Sequence, residues 1–245
     1  LVCVTATGTN NLDKEYLAEK GIEWRNVAGY STESVAQHTF ALLFYLLEKM
    51  RYYDEYVKSE KYVGDTTFTH FANVFHEVAG KTWGIVGLGN IGRRVAEIAK
   101  LFGCRVIYYS TSGKNNNADY ERVSFDEILA QSDILSVHAP LDENTRGLFD
   151  KAAFEKMKST SIFINVGRGP IVDERALADA LTGGQIASAG LDVLSVEPMV
   201  ESNPLRAIKD SEKLIITPHI AWASVEARTR LMQIIAGQIK EYFGL

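Results

Sequence analysis

Residues 82–103 read TWGIVGLGNIGRRVAEIAKLFG, and this stretch decides the fold. An apolar strand pattern runs into Gly87-x-Gly89-x-x-Gly92, and an amphipathic helix pattern follows at once, which is the context that a dinucleotide-binding turn requires. Gly87 would permit the tight turn, Gly89 the close approach of a pyrophosphate, and Gly92 the packing of the helix on the strand. The first amides of the helix and the positive end of its dipole would bind phosphates. The alternative is an ordinary strand-to-helix turn.

Apolar runs and helical patterns alternate along the chain on both sides of this turn. The runs predict strands at 82–86, 105–109, 134–138, 161–166, 186–193 and 214–217. Strands that alternate with helices form a parallel sheet covered on both faces. The sequence therefore predicts an α/β fold with a doubly wound parallel sheet, the Rossmann arrangement for dinucleotide binding.

The first 30 residues give a separate strand, helix and strand pattern at 1–5, 13–20 and 23–27. The chain starts inside a strand pattern, without Met or a preceding turn, so we expect that an N-terminal piece is absent. A helix capped by Ser31 or Thr32 then continues to Leu47, and its apolar residues predict burial between domains or subunits. Residues 51–76 are rich in Tyr, Phe and charge, which predicts an extended arm at an oligomer contact.

Composition limits the partners and the compartment. The formal net charge is −5, which argues against nucleic acid and anionic membranes as partners. The longest apolar run, Phe40–Leu47, is too short to span a bilayer, and no signal peptide pattern is visible. Cys3 and Cys104 cannot build a disulfide framework and lie in apolar segments, which predicts packing roles. We expect a soluble protein of the reducing cytoplasm.

The choice of cofactor depends on the end of the second strand of the sheet. An NAD-binding unit usually places Asp or Glu about 20 residues beyond the glycine turn, where the carboxylate binds ribose hydroxyls. Here the strand RVIYY ends in Ser110, which TSGK follows. The hydroxyls could bind the ribose, or they could accept a 2′-phosphate with Lys114 nearby. We expect NAD and leave NADP open, because no acid repels a 2′-phosphate and no Arg selects for one.

Four polar side chains follow later strands of the predicted sheet. Arg168, between two glycines, follows the strand at 161–166; Asp192 closes the next; Glu197 lies five residues on; His219 follows the last strand. Ligands of open α/β sheets bind outside the carboxyl ends of the strands, so we expect these side chains to share the crevice of the glycine turn. The alternatives are a surface pair of Arg168 with Asp173, a turn cap at Asp192, a solvated Glu197 and a structural His219.

The four side chains suit hydride chemistry. A carbonyl that gains a hydride must also gain a proton, and His219 could supply it near neutral pH. Glu197 beside the ring would orient it and favour its protonated form. Arg168 could bind a substrate carboxylate through two hydrogen bonds and polarise the adjacent carbonyl. Asp192 could accept from the nicotinamide carboxamide.

The other histidines are weaker candidates. His138, at the end of another strand, could line the cofactor crevice or simply pack, and His38 on the buried helix is expected to be structural. We assign no role to His70 and His76. No His, Cys or Asp pair has metal-ligand spacing, so no metal site is predicted.

The sequence resembles the D-isomer-specific 2-hydroxyacid dehydrogenases. The stretches GIVGLGNIGRRVA, SDILSVHAPLDENTRGLFD, MKSTSIFINVGRGPIVDERAL, GLDVLSVEP and TPHIAWAS carry the resemblance and together cover Gly80–Ser224 almost without a gap. ATGTNNLD and NVAGYSTESVAQHTFALLF extend it toward the N-terminus. HIAWAS and YYSTSG look most like the glycerate dehydrogenase, or hydroxypyruvate reductase, branch.

The resemblance implies an organisation in two domains. A flavodoxin-like substrate domain would comprise residues 1–29 and 223–245, with its N-terminal part missing. The dinucleotide-binding domain would comprise 30–222, with the arm around 50–77. The cleft between them would hold catalytic Arg168, Glu197 and His219, and Trp222 would lie at the cleft. Expected cofactor contacts are Gly87, Gly89, Asn90, Ile91, Gly92, Ser110, His138, Val166, Gly167, Asp192 and Ala221.

The resemblance also implies an activity. We expect reversible hydride transfer between NAD(P)H and a small 2-oxo acid, hydroxypyruvate or glyoxylate, in a homodimer. Two alternatives share the fold: an NAD-sensing corepressor, which keeps the same Arg, Glu and His but adds a tail, and formate dehydrogenase, in which Gln replaces the Glu. Glu197 argues against the second alternative.

Overall fold

The computed structural model describes all 245 residues. The strands are β1 Val2–Cys3, β2 Trp24–Arg25, β3 Thr82–Val86, β4 Arg105–Tyr109, β5 Glu121–Arg122, β6 Ile134–Val137, β7 Ile162–Asn165, β8 Ser188–Leu191 and β9 Leu214–Ile216. The α-helices are α1 Lys14–Glu19, α2 Thr32–Leu47, α3 Met50–Lys58, α4 Asn90–Leu101, α5 Phe125–Gln131, α6 Lys151–Glu155, α7 Glu174–Thr182 and α8 Val225–Phe243. Short 3-10 helices cover Gly169–Ile171 and Pro204–Ala207. None of the helices combines the length and apolar character needed to cross a membrane.

Seven strands form one fully parallel sheet in the order β5-β4-β3-β6-β7-β8-β9. The chain winds outward from β3 in one direction and then from β6 in the other, so the strand order reverses between these two neighbours. This reversal is where doubly wound sheets open a ligand crevice. The predicted doubly wound parallel sheet is confirmed, and each of its six predicted strands lies within two residues of the observed bounds.

Two apolar cores cover the faces of this sheet. On one face, α2 and α4 pack over the strands, with Trp83 and Leu43 fully buried. On the other face, α5, α6 and α7 enclose a core around Phe149 and Phe163. Strands β6, β7 and β8 are buried along their whole length, as expected for strands that are covered on both sides. The polar residues that follow these strands are therefore held on a rigid base.

A smaller unit lies beside the sheet. Strands β1 and β2 pair in parallel, and α8 packs against β1. Val27, Tyr30, Ala227, Leu231 and Ile235 form a core separate from the two cores of the large sheet. The division of the chain into 1–29 with 223–245 and 30–222 stays a proposal, which this separate core supports.

Two local expectations were wrong, and one strand was missed. Residues 50–58 of the expected arm form helix α3, which begins after Lys49 adopts a left-handed backbone with φ of 52°. The Ser31 side chain makes no capping hydrogen bond to α2. Strand β5 was missed because its two residues are exposed and carry no apolar pattern. Residues 59–77, by contrast, contain neither helix nor strand.

Candidate active site

A cleft of about 620 Å³ lies at the carboxyl ends of the central strands. Its walls come from the β1–α1 loop, the start of α4 and the segments that follow β6, β7, β8 and β9. The structure brings ten of the predicted site residues to this cleft: Gly89, Asn90, Ile91, His138, Val166, Gly167, Arg168, Asp192, His219 and Ala221. Trp222 also lines it, as expected. Gly87, Gly92, Ser110 and Glu197 lie outside the wall.

The glycine turn has the geometry that its sequence predicts. Gly87 has φ of 92°, and a Cβ there would lie 2.8 Å from the backbone of Ala139. A Cβ on Gly92 would collide with the carbonyl oxygen of Gly87. These two glycines therefore act through close packing of β3, α4 and the segment after β6, and they need no contact with a ligand.

Gly89 differs from the other two glycines because it faces open space. A Cβ at Gly89 would meet nothing within 4 Å, and the residue caps α4 without a side-chain hydrogen bond. The first intrahelical bond runs from Arg93 to Gly89, so the amides of residues 90–92 are free of backbone acceptors. Free amides at the positive end of a helix bind phosphate. The residues present therefore fit the pyrophosphate of a dinucleotide.

The structure places Ser110 differently from expectation. Its side chain is only 4% exposed, and Oγ accepts a hydrogen bond of 3.2 Å from the amide of Asn115. Asn115 in turn donates to the carbonyl oxygen of Leu88 at 2.7 Å. The loop after β4 thus folds back onto the glycine turn, and this hydroxyl does not line the cleft. The predicted contact of Ser110 with a cofactor stays a prediction.

His138 stands in the cleft wall at the end of a buried polar chain. Trp83 Nε1 donates to Ser136 Oγ at 2.8 Å, and that hydroxyl lies 2.9 Å from His138 Nε2. The Nδ1 atom of His138 is buried without a partner. Burial lowers the pKa of His138 to about 3, so the ring is neutral at physiological pH. His138 can therefore offer a neutral polar group to a ligand but no positive charge.

Arg168 enters the cleft from the turn after β7. Its Nη1 donates to the carbonyl oxygen of Gly167 at 2.8 Å, which leaves most of its five donor hydrogens free. Across the cleft, Gly8 of the β1–α1 loop touches the guanidinium so closely that a Cβ would overlap Nη2. The alternative partner Asp173 instead caps α7, where it accepts from the amides of Arg175 and Ala176. A fixed cation with open hydrogen-bond capacity suits an anionic ligand.

Asp192 is almost fully buried, with 1% exposure, beneath the turn that follows β9. Its Oδ1 accepts from Thr217 Oγ1 at 2.6 Å and from the amide of Ile220 at 2.9 Å. Its Oδ2 accepts from the amide of Ala221 at 2.8 Å. The carboxylate thus holds the turn together, as the turn-cap alternative anticipated. Its expected acceptance from a nicotinamide stays a prediction.

His219 sits on that same turn and is paired with Glu197. Its Nδ1 lies 2.7 Å from Oε2 of Glu197, while the other carboxylate oxygen accepts from the amide of Leu194 at 2.7 Å. His219 has a left-handed backbone with φ of 54°, and its amide donates to the carbonyl oxygens of Asp192 and Thr217. A strained backbone of this kind persists only when its surroundings fix it, and such residues cluster at functional sites.

His38 lies below this turn and outside the cleft wall. Its Nε2 is 2.9 Å from Thr217 Oγ1 and 3.5 Å from Asp192 Oδ1. Burial lowers the pKa of His38, and the Asp192 carboxylate opposes that shift. The ring links α2 to the turn that carries His219, which is a structural contact.

Asn165 was not singled out from the sequence. Its Nδ2 donates to the carbonyl oxygen of Arg168 at 3.0 Å, and its Oδ1 accepts from the amide of Gly167 at 3.0 Å. With 1% exposure, it ties the Arg168 turn to the end of β7 from within. The available signal was a polar residue inside an otherwise apolar strand, since buried polar groups must be hydrogen-bonded.

A doubly wound sheet whose phosphate turn opens on a cleft with a buried carboxylate, an Arg and a His marks the NAD-dependent dehydrogenases. The chain belongs to one family of them. Residues 40–221 match the family described as D-isomer specific 2-hydroxyacid dehydrogenase, NAD binding domain.

Individual relatives agree with the family. The chain is 38% identical over 245 residues to a hydroxypyruvate reductase of Blautia hydrogenotrophica, covering 98% of this chain and 74% of the relative. It is 39% identical over 242 residues to a glyoxylate reductase of Aeropyrum pernix, covering 96% of this chain and 71% of the relative. Among solved structures, Aquifex aeolicus D-lactate dehydrogenase, complexed with NAD and lactic acid, has a TM-score of 0.88 at 27% identity and covers 99% of this chain and 75% of that one. The expected family, its fold and NAD as the cofactor are confirmed.

Proposed function

We propose that the protein catalyses reversible hydride transfer between NAD(P)H and a small 2-oxo acid, with hydroxypyruvate or glyoxylate as the substrate. The observation that carries this proposal is the 2.7 Å pair of His219 and Glu197, whose imidazole lines the same cleft as Arg168. An acid-base group and an anion-binding group are the two things that the protein itself must supply for this reaction. The chemistry of the hydride belongs to the cofactor.

In the reducing direction, His219 delivers the proton. Because Glu197 Oε2 occupies the hydrogen-bond position at Nδ1, that nitrogen carries a hydrogen and donates it to the carboxylate. The second ring nitrogen, Nε2, is left for the substrate and gives its proton to the carbonyl oxygen as that oxygen gains negative charge. In the oxidising direction Nε2 takes the proton back. Glu197 orients the ring through this hydrogen bond.

Arg168 binds the carboxylate of the substrate and polarises the adjacent carbonyl. Its turn is fixed by Asn165 and its guanidinium is confined by Gly8. A fixed turn directs the guanidinium into the cleft, which favours oriented binding of an anion.

The cofactor would be held along the rest of the cleft. Gly89, Asn90 and Ile91 would bind the pyrophosphate, and His138, Val166, Gly167, Asp192 and Ala221 would line the nicotinamide side. When bound, the reduced cofactor would donate the hydride from C4 of its nicotinamide, and the oxidised cofactor would accept it there. The end of β4 carries no carboxylate that would repel a 2′-phosphate, which leaves NADP open as a second cofactor.

The substrate proposal rests on the relatives. Proteins that are 36–39% identical to this chain are named hydroxypyruvate reductase, glyoxylate reductase and glycerate dehydrogenase. The substrates in these names are two-carbon or three-carbon 2-oxo or 2-hydroxy acids. The open cleft around Arg168 accommodates an acid of that size.

The test is a panel of 2-oxo acids assayed with NADH and then NADPH. We expect oxidation of the reduced cofactor with hydroxypyruvate and glyoxylate, no reduction of NAD by formate, and a loss of about 10²–10⁴-fold in kcat for His219→Gln. Binding of NADH without turnover of any oxo acid would refute the enzyme and support the corepressor-like alternative. Turnover that survives His219→Gln would refute the role of the imidazole.

We also propose a homodimer formed through residues 50–77. Phe68 and Phe71 in this segment are about nine-tenths exposed, and Val74 is 80% exposed. Apolar side chains that cluster at the surface mark protein interfaces. Light scattering should give twice the mass of the chain, and Phe68→Ser with Phe71→Ser should give the monomer mass; an unchanged mass in the variant would refute this surface.

Cytoplasmic location stays a prediction, which the free thiols of Cys3 and Cys104 support.

A further inference from the structure

Glu174, the first residue of α7, uses both of its carboxylate oxygens outside its own helix. Oε1 accepts from the amide of Ser195 at 2.7 Å, and Oε2 accepts from Asn203 Nδ2 at 2.9 Å. Ser195 and Asn203 stand at the two ends of an irregular segment, residues 194–203, which we call the 194–203 loop. A single carboxylate therefore fastens both ends of this loop to the N-terminus of α7.

The 194–203 loop carries Glu197, the partner of His219. Leu194 and Ser195 offer two consecutive amides, and these donate to two different carboxylates: Leu194 to Glu197 and Ser195 to Glu174. If these two amides shifted, the hydrogen bond from the Leu194 amide to Glu197 would shift with them. Glu174 therefore fixes the Ser195 amide, the neighbouring Leu194 amide binds Glu197, and Glu197 contacts Nδ1 of His219.

The other end of the 194–203 loop is fixed in its orientation. Asn203 is 6% exposed, and its Oδ1 accepts from the amide of Leu205 at 2.9 Å. The amide group cannot turn over to offer its oxygen without losing that bond. Asn203 Nδ2 must therefore find an acceptor, and Glu174 provides it.

The Arg168 turn is attached to the same place. A Cβ on Gly169 would lie on the backbone of Leu194 and Ser195, so the residue after Arg168 packs directly on the start of the 194–203 loop. Helix α7 begins five residues after Gly169. The turn that carries Arg168 and the segment that holds Glu197 therefore meet at Leu194 and Ser195.

We propose that Glu174 is a positioning residue, which holds the 194–203 loop so that Glu197 meets Nδ1 of His219 and both stay in register with Arg168. This inference rests on the proposed function, because it assigns the loop to the same reaction. An ordinary role for Glu174 would be to stabilise the N-terminus of α7 by its charge alone. Asp173 already caps that helix with two hydrogen bonds, so the two neighbouring acids can be compared directly.

The matched variants are Glu174→Ala and Asp173→Ala, assayed in the full chain. The Asp173 side chain hydrogen-bonds to the amides of Arg175 and Ala176, so its loss weakens the start of α7 without removing a hydrogen bond to the 194–203 loop. We expect Glu174→Ala to lower kcat/KM for the oxo acid by about tenfold, as the loss of a hydrogen bond to a charged group would. Asp173→Ala should lower Tm and leave kcat/KM within about twofold of the parent, because it removes a helix cap and no bond to the 194–203 loop.

The other charged groups of the cleft are Lys14, Arg168 and Asp192, and none of them changes in these variants. In the Glu197→Gln background, Glu174→Ala should add less than about twofold to the loss, because coupled residues are not additive. Glu174→Gln should restore part of the activity, since its amide oxygen can still accept from Ser195. Fully additive losses would overturn the inference.

Amide hydrogen exchange tests the loop without any turnover. Exchange at the hydrogen-bonded amides of Leu194, Ser195 and Asn203 should be at least about tenfold faster in Glu174→Ala than in Asp173→Ala, because the two hydrogen bonds to Glu174 anchor both ends of the loop. Equal exchange in the two variants would overturn the positioning role. If the parent protein turns over no oxo acid while the loop loosens as expected, the proposed function fails and the anchoring contact stands.

Discussion

Nδ1 of His219 lies 2.7 Å from Oε2 of Glu197, although 21 residues separate the two in sequence. The imidazole comes from the turn after β9 and the carboxylate from the segment after β8, so adjacent parallel strands bring them together. The other oxygen of Glu197 is bound to the amide of Leu194, which fixes the direction of the carboxylate. The pair is therefore assembled by the sheet and oriented by one backbone hydrogen bond.

Glu197→Gln should lower kcat/KM for the oxo acid. The carboxylate accepts from Nδ1 of His219 at 2.7 Å and fixes the direction of the ring, and reduction consumes the proton that the opposite ring nitrogen carries. A neutral amide at this position makes a weaker hydrogen bond to the imidazole, so kcat/KM should drop by about tenfold or more. Initial rates with hydroxypyruvate and glyoxylate measure the loss. Unchanged kinetics would remove Glu197 from proton transfer.

Arg168→Ala should mainly raise KM for the oxo acid and should also lower kcat. The change removes a charge-assisted contact of about 1.5–3 kcal/mol, which corresponds to roughly 10- to 150-fold in kcat/KM. Arg168→Lys should recover little, since an ammonium cannot form two parallel hydrogen bonds with a carboxylate. The affinity for NADH, measured by fluorescence, should stay within about twofold of the parent. Unchanged kinetics with the oxo acid would rule out the anion-binding role.

Gly8→Ala should disturb Arg168 without unfolding the protein. A Cβ at this position would overlap the guanidinium, which is the far end of a flexible side chain and can move away. We expect KM for the oxo acid to rise about tenfold, the equivalent of one displaced charge-assisted bond, with little change in Tm. Gly237→Ala in α8 is the matched control, because a Cβ there meets nothing within 4 Å. A normal KM in Gly8→Ala would show that the loop does not confine Arg168.

The sheet could be predicted because its strands are apolar runs that periodicity identifies. Thr82–Val86 and Arg105–Tyr109 have the predicted bounds, and both are flanked by clear turn residues. Strand β5 and helix α3 could not be predicted in the same way. The former is two exposed residues paired with β4, and the latter depends on the left-handed Lys49 that separates it from α2.

The site was predictable as a set of strand ends but not in its internal contacts. Parallel strands end on one edge, so Arg168, Asp192 and His219 could be grouped from sequence. That Asp192 turns inward to hold the β9 turn depends on a rotamer, which the sequence pattern does not give. Asn165 binds backbone groups of the turn that follows it, and Glu174 binds groups 21 and 29 residues away; neither kind of contact leaves a periodic signal.

An acid introduced at the end of β4 should discriminate between the two cofactors. Ser110→Asp places a carboxylate where NAD-binding units usually have one, and the charge would repel a 2′-phosphate. Ser110 is only 4% exposed, so an Asp there has little room. Thr111→Asp is therefore the companion variant, because Thr111 is the next residue and is more exposed. In the variant that folds like the parent, kcat/KM with NADPH should fall about tenfold more than with NADH. Equal losses with both cofactors would show that the adenosine ribose binds elsewhere.

His138 should make the protein less stable in acid. Its pKa of about 3 in the folded state lies below the ordinary value of 6.5, so the unfolded chain binds the proton more tightly between these two values. Protonation of His138 in the unfolded chain therefore has no effect on stability above about pH 6.5. Below that value it lowers the free energy of unfolding progressively as the pH falls toward 3. Between pH 7.5 and 5.0 the loss amounts to at most about 2 kcal/mol, at 1.36 kcal/mol for each pH unit below the ordinary value.

Urea unfolding of the parent and of His138→Gln at pH 7.5 and 5.0 measures this difference. Gln keeps a polar group near Ser136 but does not titrate, so the variant should lose up to about 2 kcal/mol less than the parent over the same interval. The exposed His76→Gln is the control and should behave like the parent. Other groups that titrate in this range contribute equally to all three proteins and cancel in the comparison. If the parent and His138→Gln lose the same stability, His138 takes up its proton in the folded state, and the cleft wall would carry a positive charge toward the cofactor.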